Sequence, residues 1–251
     1  MAESDPLPIS EDFDCRAERY ESQSFWSTDE YIASHAIELL KNHQIGDLLD
    51  AGGGTGALSR FITKSFDFTS ALVVDPSGEM LTRVPSHIQT NPARIENLDP
   101  LNRQFDTILL RQVLHYTDAP REVLEKLKTI LRKNGRLYIG QIVAPDNSSS
   151  QLLNSIGQQL SPNRKRVWTL EGLLTFALSG GLQLVEARLH SFRDDLRSWI
   201  SRRVVDVDED QLVDSIRASL SPQLRNIMGI KERGNSLSFE IIWCHALFKA
   251  D

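Results

Sequence analysis

The chain has 251 residues, enough for one α/β domain with an insertion or a small lid. Its hydrophobic fraction of 40% and charged fraction of 25% are ordinary for a soluble globular protein. A net charge of -6 argues against a nucleic-acid partner, and two cysteines, Cys15 and Cys244, make neither a disulfide framework nor a metal set. With no signal peptide at the start and no apolar run long enough to span a bilayer, a reduced, cytoplasmic protein is expected, monomer or homodimer.

Residues 1–12 are acidic and proline-bearing and read as a frayed start. Phe13 to Trp26 mixes aromatic and charged side chains, Tyr20 among them. Ser27-Thr28-Asp29-Glu30 reads as a capping box, and apolar residues from Tyr31 to Leu40 follow at helical spacing, predicting a helix to about Asn42. Ile45 to Ala51 predicts the first strand and Thr55 to Ser65 a helix. Ala71 to Val74 predicts a second strand ending at Asp75, with a short helix over Ser77 to Val84. No regular element is assigned from His87 to Pro100. Phe105 to Leu110 is apolar enough for a strand buried on both faces. Ala119 to Leu131 predicts an amphipathic helix with Pro120 in its first turn and Asp118 as cap. Asn134-Gly135 then turns into a strand over Arg136 to Val143.

Asp146 to Ser150 reads as a polar loop, Gln151 to Leu160 as a helix and Asn163 to Arg166 as a basic surface turn. Thr169 to Leu178 predicts a helix stopped by Gly180-Gly181, and Leu182 to His190 a strand. Ser236 to Lys249 predicts the final strand. Between the two strands lie Asp194 to Asn235, with helical patches around Trp199 and Ile216. So long an insertion is read as a helical cap over a pocket.

The chemistry concentrates in Leu48-Leu49-Asp50-Ala51-Gly52-Gly53-Gly54-Thr55-Gly56, a strand running into a glycine-dense turn and a helix. Glycines let the backbone take positive φ and let a ligand approach without a Cβ in the way. Amides of the loop and of the helix N-terminus then face that ligand. Asp75 stands about twenty residues on, where a ribose-binding carboxylate belongs in a nucleotide-binding β-α-β unit. Gly52, Gly54 and Ala57 satisfy the dinucleotide pattern; Gly52, Gly54 and Gly56 satisfy the loop of S-adenosylmethionine enzymes. Asp50 tilts the choice, because a carboxylate repels a pyrophosphate but suits the ammonium of a methionine moiety.

On these residues, on Val74-Asp75-Pro76-Ser77-Gly78-Glu79-Met80-Leu81, and on Phe105 to Tyr116 continuing to Leu131-Arg132-Lys133-Asn134-Gly135-Arg136-Leu137, the chain resembles class I S-adenosylmethionine-dependent methyltransferases of the small-molecule type. The resemblance runs from about Tyr20 to Val143. It implies a Rossmann-like, doubly wound α/β sheet, mostly parallel, whose last strand is antiparallel and inserted between two parallel ones. Residues 45–192 and 236–251 would form that core. Residues 1–44 would lie over the cofactor, with Tyr20 touching it, and 193–235 would be the cap. Met80 would lie against the adenine ring. The family's Asp-Ala pair before the Glu-x-Leu-Pro run is replaced here by Arg94-Ile95, and Asp99 is an extra residue. Adenine would then be held by Glu96, Asn97 or backbone groups.

Ligands of open α/β sheets bind outside strand C-termini, which places Arg111, Gln112 and His115 at the site. The cofactor set is thus Tyr20, Asp50, Gly52, Gly54, Gly56, Asp75, Met80, Asn97, Arg111 and Gln112. His115 is the candidate catalytic base, since a histidine suits proton transfer at neutral pH; against that stands a strong alternative, a histidine that packs beside the cofactor or bonds a backbone carbonyl. The implied reaction is methyl transfer to O, N or C of a small organic molecule, a secondary metabolite among the candidates. Two alternatives stay open: a methyltransferase fold that binds the cofactor without methylating, cyclase-like or regulatory, and a dinucleotide-dependent oxidoreductase.

Overall fold

The structure, a computed structural model, describes residues 7–98, 103–201 and 208–250, so Asp99 lies outside the described residues. The N-terminal stretch forms α1 (Ile9–Arg16) and α2 (Tyr20–Gln23), then a single 3-10 turn at Phe25–Ser27 and α3 (Glu30–Leu40). The cap of α3 is Asp29, whose carboxylate accepts the Ile32 N–H at 2.9 Å. Ser27, the first residue of the expected capping box, instead closes the 3-10 turn, and its carbonyl accepts from Arg111.

There follow β1 (Asp47–Ala51), α4 (Ala57–Ser65), β2 (Ser70–Asp75), α5 (Gly78–Leu81), β3 (Gln89–Pro92), β4 (Phe105–Arg111), α6 (Pro120–Ile130) and β5 (Leu131–Ala144). The second half comprises α7 (Asn147–Leu160), β6 (Trp168–Thr169), α8 (Leu170–Ser179), β7 (Leu182–Asp195), α9 (Leu196–Ser201), α10 (Glu209–Ser219), α11 (Pro222–Ile227), β8 (Lys231–Arg233) and β9 (Ser236–Ala250). The main sheet runs β3-β2-β1-β4-β5-β9-β7. β9 is antiparallel to both β5 and β7, which makes it the inserted antiparallel strand expected of the last element.

Side-chain alternation along the strands loads both faces. On one face Leu124, Leu127, Leu173 and Ala177 of α6 and α8 pack with Ile108, Leu110 and Ile139. On the other, Ala36, Leu40, Leu58 and Ile62 of α3 and α4 cover Leu48, Val73, Leu109 and Tyr138. A third cluster joins α7, α9 and α10 to the start of β9 around Phe239 and Trp243.

Three local readings are corrected. β3 was not expected, because all four of its residues are exposed and carry no apolar alternation. Asp146 is a helix cap and not a loop residue: it accepts the Ser149 N–H at 2.7 Å, so α7 begins four residues early. Asp118 does not cap α6; it pairs with Lys165 at 3.0 Å, while Ala119 precedes the helix without a side-chain cap.

Three histidines stack between α3, β7 and β9. His35 lies parallel to His190, ring centroids 4.5 Å apart, and 4.8 Å from His245. His245 Nε2 is 2.9 Å from His190 Nδ1, and Tyr138 Oη is 2.7 Å from His245 Nδ1. Gly140 makes room for that phenol, since a Cβ there would stand 2.4 Å from Tyr138 Oη. Burial and the neighbouring rings lower His190 to about 4 and His245 to about 2. The unfolded chain therefore takes up these protons first, at about pH 6.5, and stability is lost as pH falls from there toward 4. Melting curves of wild type and His190→Asn should differ most near pH 7 and converge as pH falls. A constant difference across that range would show that the stack does not titrate on unfolding.

Candidate active site

The C-terminal ends of β2, β1 and β4 meet on one side of the sheet, and the glycine loop is fixed there from below. Gly52 and Gly53 N–H both donate to the Val74 carbonyl, at 2.7 and 3.2 Å. Each glycine answers a different demand. A Cβ on Gly53 would stand 2.5 Å from the Asp50 carboxyl carbon, and one on Gly52 2.6 Å from Val113. At Gly54, with φ +56°, a Cβ would meet only Asp75 Oδ2, at 4.0 Å. Gly54 also lines the site's pocket.

Two acids flank the loop. Asp50 is 2% exposed and accepts the Ser59 hydroxyl at 2.7 Å. Burial raises its carboxyl, with Ser59 and the charge of Arg111 opposing the rise. Asp75 accepts Gly54 N–H and Ser77 N–H, each at 2.9 Å. Burial outweighs those two bonds and pushes it up to about 6, Asp50 and Asp14 adding to the rise. Among the described residues each Asp75 oxygen accepts a single bond, which leaves a further lone-pair direction that a ligand hydroxyl could use.

Arg111 ends β4. Its Nη2 donates to the Ser27 carbonyl at 3.1 Å, and its guanidinium carbon lies 5.5 Å from the Trp26 ring centroid. Its Nη1 is buried with no hydrogen-bond partner among the described residues, and so is Nε2 of Gln112. Gln112 has φ +58°, a left-handed conformation that is uncommon outside glycine and that concentrates at functional sites. His115 is 4% exposed, and its Nδ1 is 2.9 Å from Gln141 Nε2.

The N-terminal segment closes the top. Tyr20 stands in edge-to-face contact with Phe13 and Trp26, at 6.1 and 6.2 Å between centroids. Burial pushes its phenol up to about 12. Arg16, 6% exposed, lays its guanidinium over Phe13 at 4.6 Å.

One pocket gathers Tyr20, Asp50, Gly52, Gly54, Asp75, Met80, Arg111, Gln112 and His115. Two of the expected residues stand apart. Gly56 caps α4 in a left-handed conformation and packs toward Val84 and Val73, so it shapes the loop from behind. Asn97 belongs to an adjoining cleft with Asn163 and Lys165; a 3-10 turn at Ile95–Asn97 gives the pocket Ile95 and Glu96 instead. The pocket also holds Trp199, which the cap reading offered as a pocket-lining residue, and Arg16, Trp26, Ile142, Phe192 and Asp194, which the sequence did not single out as site residues. Arg16 and Phe13 had a readable signal in their i, i+3 spacing; Phe192 and Asp194 depend on the unforeseen length of β7.

These groups fit S-adenosylmethionine. Buried, unpartnered donors on Arg111 and Gln112 match a carboxylate, Asp50 matches an ammonium, and Asp75 matches a pair of hydroxyls.

Comparison with known proteins agrees. The methyltransferase domain family matches residues 49–137. A malonyl-[acyl-carrier protein] O-methyltransferase of Halalkalibacterium halodurans is 31% identical over 99 residues, 36% of either chain. The chain spans 60% and 36% of the lengths of the two curated relatives it matches. Among solved structures, a candidate methyltransferase from Bacillus halodurans C-125 superposes with a TM-score of 0.77 at 15% identity, over 85% of this chain and 97% of that one. The [4+2]-cyclase SpnF superposes with a TM-score of 0.60 at 13% identity, over 98% of each chain. At such identities the two structures speak for the fold alone. Residues 49–137 thus match the methyltransferase domain family, and the chain as a whole has the fold of the solved candidate methyltransferase it superposes on.

Proposed function

We propose that the protein transfers the methyl group of S-adenosylmethionine to a small organic acceptor. The observation that supports this reading is the extent of the pocket. It begins at the glycine loop and Asp75 and continues along the sheet past Arg111 to Ile142 of β5, Phe192 of β7 and Trp199 of α9. The cofactor takes the β2-β1-β4 end, and the far end, walled by Trp26, Ile142, Phe192 and Trp199, takes an apolar, planar acceptor. Residues 193–235 act as the cap of that far end and residues 1–44 as the cover of the near one.

When bound, the cofactor supplies an already activated methyl group, so the protein's work is positioning and exclusion of water. Asp50 and Arg111 hold the two charges of the methionine end, with Gln112 as a second donor to its carboxylate. Asp75 holds the ribose, and Met80 and Ile95 flank the adenine. Tyr20 and Trp26 close over the junction, where His115 stands in the wall. Among the described residues no group of three or more His, Cys, Asp or Glu side chains is placed to hold a metal ion, and no helix is long and apolar enough to cross a membrane.

Calorimetry with S-adenosylmethionine and with a nicotinamide dinucleotide tests the cofactor; binding of the second alone would favour the oxidoreductase. Release of S-adenosylhomocysteine across a panel of aromatic and hydroxylated acceptors tests the transfer. Cofactor binding with no release on any of them would favour a protein that uses the cofactor without methylating. With an acceptor in hand, Trp199→Ala should raise its KM roughly tenfold or more, the cost of about 1.4 kcal/mol of lost aromatic contact, and leave cofactor affinity unchanged. Loss of cofactor affinity instead would remove Trp199 from the acceptor end.

A further inference from the structure

Behind the pocket wall one buried amide ties two site residues together. Gln141 lies on β5, 1% exposed, in line with Leu137, Ile139 and Val143 of the core. Its Nε2 donates to Gln112 Oε1 at 3.1 Å and lies 2.9 Å from His115 Nδ1. An amide nitrogen has two hydrogens and no lone pair to offer. Nδ1 is therefore the acceptor, and the proton of the neutral ring sits on Nε2. Both hydrogens of the Gln141 amide are then used. Gln112 is held in its left-handed conformation by an N–H bond to the Gly140 carbonyl at 2.8 Å, and its own amide nitrogen is left with no partner among the described residues. A strained backbone beside an orphaned buried donor is ordinarily retained where a ligand completes the bonding.

We propose that Gln141 is the positioning residue of this site: it holds His115 as the Nε2–H tautomer and turns the Gln112 amide nitrogen toward the pocket. Resting on the methyltransferase reading, this makes neutral His115 a hydrogen-bond donor and leaves it no nitrogen with which to take a proton. The acceptor's nucleophile then brings an available lone pair of its own: an anionic oxygen or sulfur, a neutral amine, or a carbon made electron-rich by its substituents. That lone pair forms the bond to the methyl carbon while the sulfonium sulfur takes the carbon–sulfur pair, and no proton passes to His115. A methylated amine sheds its proton to water afterwards. Turning both amides over would reverse the assignment, placing the proton on Nδ1 and leaving Nε2 a base, so the tautomer decides.

The test is a long-range proton–nitrogen correlation spectrum of the 15N-labelled full chain, with and without S-adenosylhomocysteine, His115 being assigned by its loss in His115→Gln. Above the histidine titration range the wild-type ring should show a proton on Nε2 and none on Nδ1. Gln141→Glu puts an acceptor at the same reach; it should move the proton to Nδ1 and raise the ring's titration by about 1–3 pH units. Gln141→Leu should give a mixture of tautomers, and if that variant does not fold, the nearly isosteric glutamate variant carries the test. A wild-type proton on Nδ1, or a Gln141→Glu ring with unchanged tautomer and titration, overturns the proposal. Calorimetry with S-adenosylmethionine on the same samples separates the two readings. Absence of binding sinks the methyltransferase reading, while the tautomer stands or falls on the spectrum.

Discussion

Gly54→Val is expected to abolish S-adenosylmethionine binding while the protein still folds. A Cβ built at Gly54 meets nothing nearer than Asp75 Oδ2, at 4.0 Å, so the first side-chain carbon collides with no atom of the described residues. It does force a β-branched residue to φ +56°, a strain of about 1–3 kcal/mol against a typical domain stability of about 5–15 kcal/mol. Melting should therefore fall by several degrees and remain cooperative. Binding fails for two reasons. The branched side chain fills the space on the loop's open side, and relief of its strain swings the Gly54 N–H off Asp75, which it now reaches at 2.9 Å. Titration calorimetry should show affinity down at least 100-fold, about 2.7 kcal/mol. Gly53→Ala is the control: its Cβ would press on the Asp50 carboxyl from 2.5 Å and should lower stability and binding together. Wild-type binding by Gly54→Val would remove the cofactor from this loop.

The loop was readable because its demands are local. An acid, three spaced glycines and a second acid after the next strand each answer to backbone geometry within a few residues. The inserted last strand followed from family resemblance, and its pairing with β5 and β7 bears it out. What sequence could not show was set by partners distant in the chain. β3 carries Gln89, Thr90, Asn91 and Pro92, all exposed, and is a strand only because β2 offers an edge. β7 runs past His190 to Asp195 because β9 pairs with it along the whole length, and that extra stretch delivers Phe192 and Asp194 to the pocket. Asn97 missed the pocket by one 3-10 turn, a rotation no pattern of four residues can fix. Gln141 had left a trace: a lone glutamine inside the apolar run from Leu137 to Ala144 must find partners when buried.

The affinity for S-adenosylmethionine should fall as pH drops below about 6, and Asp75 should be the reason. Burial holds the Asp75 carboxyl up at about 6 in the unliganded protein, over the opposing bonds from Gly54 and Ser77. Ribose hydroxyls donate to the ionised form, so binding favours the carboxylate and the bound site must release any proton it carries. Well above about pH 6 Asp75 is already ionised and its contribution is flat. Below that, binding must displace one proton, and affinity declines by up to about tenfold per pH unit. Asp50, also raised by burial, works in the same direction, so the wild-type slope alone does not identify the group. Asp75→Asn does, because it removes one titrating carboxyl and leaves the other. Its profile should lose the limb near pH 6 and keep only what Asp50 supplies. Asp75→Ala should weaken binding at neutral pH by about 1–3 kcal/mol, the usual cost of leaving buried hydroxyls unpaired. A wild-type profile that stays level from neutral pH down through 6, or an alanine variant that binds as tightly as wild type, would place the ribose elsewhere. Ribose hydroxyls at Asp75 would supply the bonds that burial denies its carboxylate, which is the physical ground for expecting the two to be linked.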